Sequence, residues 1–142
     1  MQYLKCAIFS FMIAIYLIAP SAGAQDVVLI ASPDVPVDSL SASDVENIFL
    51  GKKTTWDNGS KIVFYTLKNG AAHEAFLKNY VSKSASQFKT FWKKQVFTGK
   101  GKMPKSVGND QEMTNTITGT GSAIGYVSAG TNLGNAKKLS VR

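Results

Sequence analysis

The segment that decides the fold is IVFYTLKNGAAHEAFLKNYV, residues 62–81. Its first part, from Ile62 to Thr66, is rich in β-branched and aromatic residues, which is typical of a strand. The second part carries apolar side chains at helical spacing: Ala72, Phe76 and Tyr80. This spacing predicts a helix that starts at Gly70 and ends near Val81. The chain is therefore expected to run from a strand through a tight turn into a helix.

Three other segments have strand patterns. A β-branched apolar run precedes a proline-rich breaker, a second run lies between glycine turns, and a third closes the chain. In order, these are Val27–Ala31, Ala123–Val127 and Lys138–Val141. We expect the last of them to be an edge strand.

Three further helices are marked by capping-box patterns, in which Ser or Asn is followed three residues later by Glu or Gln. The patterns start at Ser43, Ser84 and Asn109. The first helix should stop at Gly51 and the last near Thr118, and the Gly/Lys-rich stretch 98–108 should be a connection. Because strands alternate with helices, the sequence predicts an α/β layer fold.

The helix from Ser84 has two chemically different faces. One face carries an aromatic stripe that should belong to the core: Phe88, Phe91, Trp92 and Val96. The other carries lysines that should be solvated: Lys89, Lys93 and Lys94. This amphipathic pattern predicts packing against a sheet.

The N-terminal residues have the order of a secretory signal. Lys5 precedes an apolar run of 14 residues, Cys6 to Ala19, and small residues follow at 22–24. A bilayer span takes about 20 residues, so a cleaved signal peptide is favoured over a retained anchor. We expect a signal peptide at 1–24, a single domain at 25–142 in the periplasm, and no stable membrane insertion after cleavage.

The net charge and the cysteine content limit the classes of partner that this protein is expected to bind. The formal charge is +7, or +6 without Lys5, and Cys6 is the only cysteine. Residues 25–142 therefore form no disulfide, and their stability must come from packing. A basic net charge favours nucleic acid as the partner of a cytosolic protein, but for an exported chain we expect no nucleic-acid partner. Anionic solutes, acidic envelope surfaces or an acidic partner remain as alternatives.

The residues argue against the common forms of catalysis. His73 is the only histidine and is followed by Glu74, but the second histidine of a zinc-protease helix is missing. No Gly-x-Ser-x-Gly elbow occurs, and the pair at Gly119 and Gly121 precedes a strand, so it is not a dinucleotide fingerprint. We expect no enzyme activity, no metal and no cofactor, with His73 on the surface of its helix.

The turn after Thr66 is the one place where the sequence still indicates a binding site. Its helix would start with free amides at Ala71, Ala72 and His73, and helix N-termini attract anions. A solvated turn with no ligand is the alternative, because the same arrangement occurs in α/β domains that bind nothing.

The ordered motifs resemble those of the periplasmic phosphate-binding proteins of ABC transporters. The resemblance covers nearly all of residues 25–142 and rests on these segments: Ile30 to Pro33, Leu40, Ile48 to Lys52, Trp56, Ile62-Val63 and Ala123 to Val127. It implies one lobe of a type II periplasmic-binding-protein fold, with a mixed sheet flanked by helices. In those proteins two lobes hold the ligand in a cleft, and this chain matches one lobe only.

The lobe departs from the family pattern at the turn. The family places an arginine and a Ser-Gly-Thr triplet where this chain has Leu67 and then Ala71, Ala72 and His73. The loss of about three charge-assisted contacts, each worth roughly 1.5–3 kcal/mol, would weaken phosphate binding by about three orders of magnitude or more. The resemblance leaves Lys68 and His73 as candidate anion contacts.

Two functions follow from the sequence. The first is a non-catalytic exported binding module with at most weak phosphate or anion binding, through Lys68, Gly70, Ala71, Ala72 and His73. The second is an envelope interaction or dimerisation module, because an isolated lobe exposes the face that its partner lobe would cover. An ABC permease, another envelope protein and a second copy of the chain are the candidate partners.

Overall fold

The computed structural model describes residues 26–142. Within them, the strands are β1 Val27–Ala31, β2 Ser39–Leu40, β3 Val63–Leu67, β4 Lys105–Val107, β5 Ala123–Ser128 and β6 Lys137–Val141. The helices are α1 Ala42–Phe49, α2 Ala71–Phe76, α3 Ala85–Phe97 and α4 Asp110–Gly119, and α2 continues as a π-helical turn, Leu77–Val81. The predicted strand, turn and helix of residues 62–81 are confirmed.

The strands form one mixed sheet in the order β2-β6-β1-β5-β3-β4. β1 lies antiparallel to both of its neighbours, with Leu29 opposite Tyr126 of β5 and Leu139 of β6. β3 lies parallel to both β4 and β5. The predicted α/β fold with a mixed sheet flanked by helices is confirmed.

Helices cover both faces of this sheet, as two adjacent residues of β5 show. Gly125 and Tyr126 point to opposite faces because successive side chains of a strand alternate. A Cβ added at Gly125 would lie 2.6 Å from Met113 Sδ and 3.1 Å from Ile117 Cδ1, so only glycine lets α4 approach this closely. On the other face, the rings of Tyr126 and Phe76 stack with centroids 3.8 Å apart, which places α2 there.

The helix α3 joins the face that carries Tyr126. Phe88 and Trp92 are buried, and the Trp92 indole donates a hydrogen bond to the Phe49 carbonyl at 3.2 Å. Phe91 is only half-buried, and Val96 is 44% exposed. The predicted core stripe is therefore confirmed for Phe88 and Trp92 and wrong for Val96, because the last turn of α3 lies outside the core.

Of the three helix starts predicted from capping-box patterns, two are confirmed and one is wrong. Ser84 forms a full capping box with Gln87, and the Asn109 side chain accepts a hydrogen bond from the amide of the third helical residue. In α1, however, the cap is Ser41, whose hydroxyl accepts from the Asp44 amide at 3.0 Å. The chain is still extended at Ser41 because β2 ends at the residue before it. Ser43 therefore lies inside the helix.

The two ends of the sheet differ from the prediction. β6 is not an edge strand, because it pairs with β1 on one side and with β2 on the other. The edges are β2, which has two residues, and β4, which lies in the predicted connection 98–108. Neither has an apolar pattern long enough to be recognised, and two of the three β4 residues are exposed.

The described helices also bear on membrane insertion. Within residues 26–142, no helix combines the length and the apolar character that a bilayer span requires. The predicted signal peptide at 1–24 lies outside the described residues.

Candidate functional site

The turn between β3 and α2 has backbone donors without a side-chain cap. β3 ends at Leu67, α2 begins at Ala71, and Gly70 is the N-cap residue. Gly70 has a φ of 100°, a conformation that favours glycine. No side chain caps the helix, so the amides of its first turn are left for solvent or an anion.

A cavity of about 290 Å³, the turn cavity, lies at this helix start. It is lined by Leu67, Asn69, Gly70, Ala71, Ala72, Gly108, Asn109, Asp110 and Ser128. Three of the predicted anion-site residues, Gly70, Ala71 and Ala72, therefore share one cavity. The other two, Lys68 and His73, line a different one.

The turn cavity has the wrong charge for a phosphate site. Asp110 is the one charged side chain among the described residues that line it. The Ser128 amide donates to Asp110 Oδ1 at 3.3 Å, and the Thr131 hydroxyl donates to Oδ2 at 3.5 Å, which hold the carboxylate in place. An anion at the helix start would meet a like charge and no cationic side chain of this cavity.

His73 is buried, with 5% of its surface exposed, so the prediction of a surface position is wrong. Its ring lies nearly parallel to the Tyr126 ring, with centroids 6.2 Å apart, and edge-on to Phe88 at 6.4 Å. The first turn of α2 faces β5 and α3, which is why the side chain points inward. A neighbouring polar partner compensates for the burial: His73 Nδ1 lies 2.5 Å from the Tyr126 hydroxyl.

The hydrogen bonds around Tyr126 bear on the tautomer of His73. The Leu67 amide donates to the Tyr126 oxygen at 3.0 Å, so the phenol proton is free to be donated to His73 Nδ1. Burial lowers the pKa of His73, although the Glu74 carboxylate raises it in part. Burial also raises the pKa of Tyr126, while the Leu67 hydrogen bond lowers it. When the phenol donates to Nδ1, the neutral His73 ring carries its proton on Nε2.

A larger cavity of about 450 Å³, the α3 cavity, lies on the other side of the β3 end. Its polar lining residues are Thr66, Lys68, His73, Ser86, Lys89 and Ser106. Its apolar lining residues are Leu67, Ala85, Phe88, Trp92, Met103 and Pro104. Volumes of about 300–1,000 Å³ are usual for small-molecule sites. Within residues 26–142, by contrast, no cluster of three or more His, Cys, Asp or Glu residues could hold a metal ion.

Sequence reasoning missed most of the α3 cavity. Lys89 belongs to the lysine face that was predicted to be solvated, and Ser106 belongs to the segment that was predicted to be a connection. Thr66 was recognised only as a strand residue. The period-2 pattern of β3 places Thr66 on the same face as Phe64, and the Phe64 ring lies 5.8 Å from Trp92 of α3. This alternation was the one available signal.

The chain belongs to the PBP superfamily: the model of the PBP superfamily domain matches residues 15–141. No curated protein sequence is similar enough to this chain to count as a match. The resemblance seen in the sequence is confirmed at the level of the family and the fold.

Among the solved structures that match this fold, two are named as phosphate proteins of ABC transporters. PstS from Borrelia burgdorferi is 16% identical with a TM-score of 0.63, over 83% of this chain and 47% of its own. A Clostridium perfringens protein with bound phosphate, assigned as a phosphate ABC transporter substrate-binding protein, is 20% identical with a TM-score of 0.64, over 82% and 45%. A phosphate transport receptor from Vibrio cholerae is 15% identical with a TM-score of 0.61, over 82% and 46%.

The chain therefore spans a little under half the length of the structures that it matches. At these identities the likeness shows the fold alone. What those proteins bind and which transporters they serve are not carried over to this chain by the comparison.

Proposed function

We propose that this protein is an exported, non-catalytic solute-binding lobe related to the phosphate-binding proteins of ABC transporters, with at most weak anion binding in its turn cavity. One observation carries the weak binding: the cavity offers the uncapped start of α2 but is lined by Asp110 and by no cationic side chain. An exposed helix end contributes only about 0.3–1 kcal/mol to anion binding. That contribution is too small to replace an arginine and a hydroxyl-rich triplet.

Isothermal titration of the chain from Gln25 onward with phosphate, at low salt and with sulfate as the comparison anion, tests this proposal. We expect no saturable heat below millimolar phosphate and no preference over sulfate. Saturable micromolar binding that is specific for phosphate would overturn the weak-binding proposal and make the lobe a working receptor.

Export to the periplasm is part of the same proposal. The signal-like order of residues 1–24 supports it, and so does membership of a superfamily whose matched structures include transport receptors. Mass spectrometry of the protein from a periplasmic fraction should give a chain that begins at Gln25. Recovery of the uncleaved chain from the cytoplasm would contradict it.

A role beside an ABC permease is the corresponding proposal for a partner. The names of the matched structures support it. Phosphate uptake in cells with and without this chain measures a role in phosphate transport, for which the weak binding proposed above predicts little difference. A large loss of uptake without the chain would overturn the weak binding.

An interaction module is the second candidate, and the end of α3 favours it. Phe97 is 92% exposed, and Val96 and Met103 are 44% and 47% exposed. Lysines 93, 94, 100 and 102 lie beside them in sequence, so a symmetric dimer across this surface would bring like charges together. An acidic partner therefore suits the surface better than a second copy.

Analytical ultracentrifugation over a wide range of protein concentration separates self-association from a monomer. A size that rises with concentration, and that Phe97→Ser returns to the monomer, would support dimerisation through this surface. A monomer at every concentration would exclude the homodimer and leave a different partner.

A further inference from the structure

We propose that the α3 cavity is a binding site for a small organic anion, namely a carboxylate attached to an aromatic or other apolar group. This inference goes beyond the weak anion binding at the turn cavity and does not depend on it. It rests on two buried polar groups that face the cavity, on the charge of its lining and on its apolar wall.

The first observation concerns Thr66 and His73, which are 4% and 5% exposed. Within residues 26–142, the Thr66 hydroxyl and His73 Nε2 make no hydrogen bond with the protein. Every side-chain nitrogen or oxygen that is fully enclosed in this part of the chain does have a hydrogen-bond partner, so these two atoms are not fully enclosed. Both atoms must therefore meet open space, and the α3 cavity is the space that both residues line. With the Tyr126 hydroxyl donating to Nδ1, His73 presents an N–H donor there.

The second observation is the charge. Lys68 and Lys89 line the cavity, and none of the described residues that line it is acidic. The surrounding sequence reinforces this field, because residues 75–109 contain eight lysines and no Asp or Glu. The two salt bridges among residues 26–142 both involve lysines outside this segment. The cavity thus combines hydrogen-bond donors with two lysines that form no salt bridge among the described residues, which favours an anion, although the Glu74 carboxylate next to His73 opposes part of this field.

The third observation is the apolar wall, which distinguishes this cavity from a phosphate site. Phe88 and Trp92 are buried side chains of α3 that line it, and Met103 lies across from the helix on the segment before β4. Phe88 and Trp92 are each only 5% exposed, so the apolar lining that is still open to a ligand includes mainly Met103, which is 47% exposed. An inorganic anion would leave that surface in contact with water, whereas an aromatic ring would bury it. The ligand class that uses all of the lining is an aromatic carboxylate.

Titration of the chain from Gln25 onward with benzoate, followed by two-dimensional NMR, tests the site directly. The indole N–H signals of the two tryptophans provide an internal comparison. Each indole N–H is held by a backbone carbonyl, that of Trp92 by Phe49 at 3.2 Å and that of Trp56 by Ser122 at 3.0 Å, but only the Trp92 ring lines the cavity. We expect a saturable shift of the Trp92 signal at sub-millimolar to millimolar benzoate and no shift of Trp56.

Ligand chemistry and matched variants sharpen the test. Benzyl alcohol, which has the ring without the charge, should bind at least about tenfold more weakly, and phosphate should leave the Trp92 signal in place. Lys89→Met should weaken benzoate binding by about fivefold. Lys93→Met is the control, since it removes the same charge one helical turn further along and does not line the cavity.

Thr66→Val addresses the buried hydroxyl without a change of shape. We expect it to weaken benzoate binding severalfold and to leave the thermal midpoint unchanged or raised, because the hydroxyl has no partner in the protein to lose. A lowered midpoint would mean that the hydroxyl serves the fold.

Three outcomes would overturn the proposal: no Trp92 shift, equal binding of benzoate and benzyl alcohol, or equal losses in the two lysine variants. The proposed function can fail separately, because tight phosphate binding at the turn cavity would shift the amides of Ala71 and Ala72 and not the Trp92 indole.

Discussion

The two cavities at the end of β3 share Leu67 as a wall but differ in every chemical respect. The turn cavity has the uncapped amides of α2 and the Asp110 carboxylate. The α3 cavity has two lysines, three hydroxyl-bearing residues, an imidazole and an aromatic wall. Within residues 26–142, the first has an uncapped helix start without cationic side chains. The second lies at the capped start of α3 and has the cationic side chains that the first lacks.

This difference shows that a helix start alone does not define a site. Free amides occur at every uncapped helix, and their contribution is of the same order as one unfavourable charge nearby. Side chains that converge from separate elements determine which ligand gains binding energy. In this chain they converge beneath α3 and not at the start of α2.

The largest effect is expected from Tyr126→Phe, because the Tyr126 hydroxyl connects the walls of the two cavities. Its loss leaves the Leu67 amide and His73 Nδ1 without their partner in a buried position. We expect the free energy of unfolding to fall by about 2–4 kcal/mol, which urea denaturation measures.

Tyr80→Phe is the matched control for this prediction. Tyr80 also packs on Phe76, with ring centroids 5.4 Å apart, but it is only half-buried. Its loss of a hydroxyl should cost well under about 1 kcal/mol. Similar losses in both variants would show that the hydrogen bonds of Tyr126 carry no special weight.

A smaller effect is expected from Asp110→Asn, which changes the charge of the turn cavity alone. The amide oxygen can still accept from the Ser128 amide, so the fold should be retained. Phosphate binding should strengthen by about fivefold, or about 1 kcal/mol, as measured by titration calorimetry.

Asp57→Asn makes the same change of net charge on an exposed turn that lines neither cavity. It should leave phosphate binding almost unchanged. An equal gain in the two variants would mean that net charge, and not the position of Asp110, limits binding at the helix start.

The sequence predicted the parts of this molecule that depend on neighbouring residues. The strand, turn and helix of 62–81 and the caps at Ser84 and Asn109 are local, since the signal lies within a few residues of the structure that it produces. β2 and β4 were missed because a strand of two or three residues at an edge is defined by its neighbour and not by its own pattern.

The candidate site was only partly predictable for the same reason. Gly70, Ala71 and Ala72 follow one another along the chain and do line one cavity. His73 comes next in sequence but points into the α3 cavity, because its burial is decided by Tyr126, 53 positions away. Asp110 enters the turn cavity through the start of α4, which no local pattern connects to β3.

The smallest expected effect is a dependence of stability on pH that comes from His73. Burial lowers the pKa of His73 in the folded protein, with Glu74 opposing this change, whereas the unfolded chain keeps the ordinary value of 6.5. As pH falls through 6.5, the unfolded chain binds the proton first, so stability decreases. The contribution is fully present above that pH and is lost progressively below it.

Urea unfolding between about pH 7.5 and pH 5 measures this dependence, with His73→Asn as the control. Asn retains an acceptor for the Tyr126 hydroxyl but does not titrate, and His73 is the only histidine of the chain. The wild type should lose more stability than the variant over this range, and parallel curves would contradict the prediction.

Benzoate should reduce the difference between the two curves, because an anion beside His73 Nε2 favours the protonated ring. Phosphate held at the start of α2 should not, since His73 does not line the turn cavity. The response of one titrating side chain to two anions therefore tells which of the two cavities each anion enters.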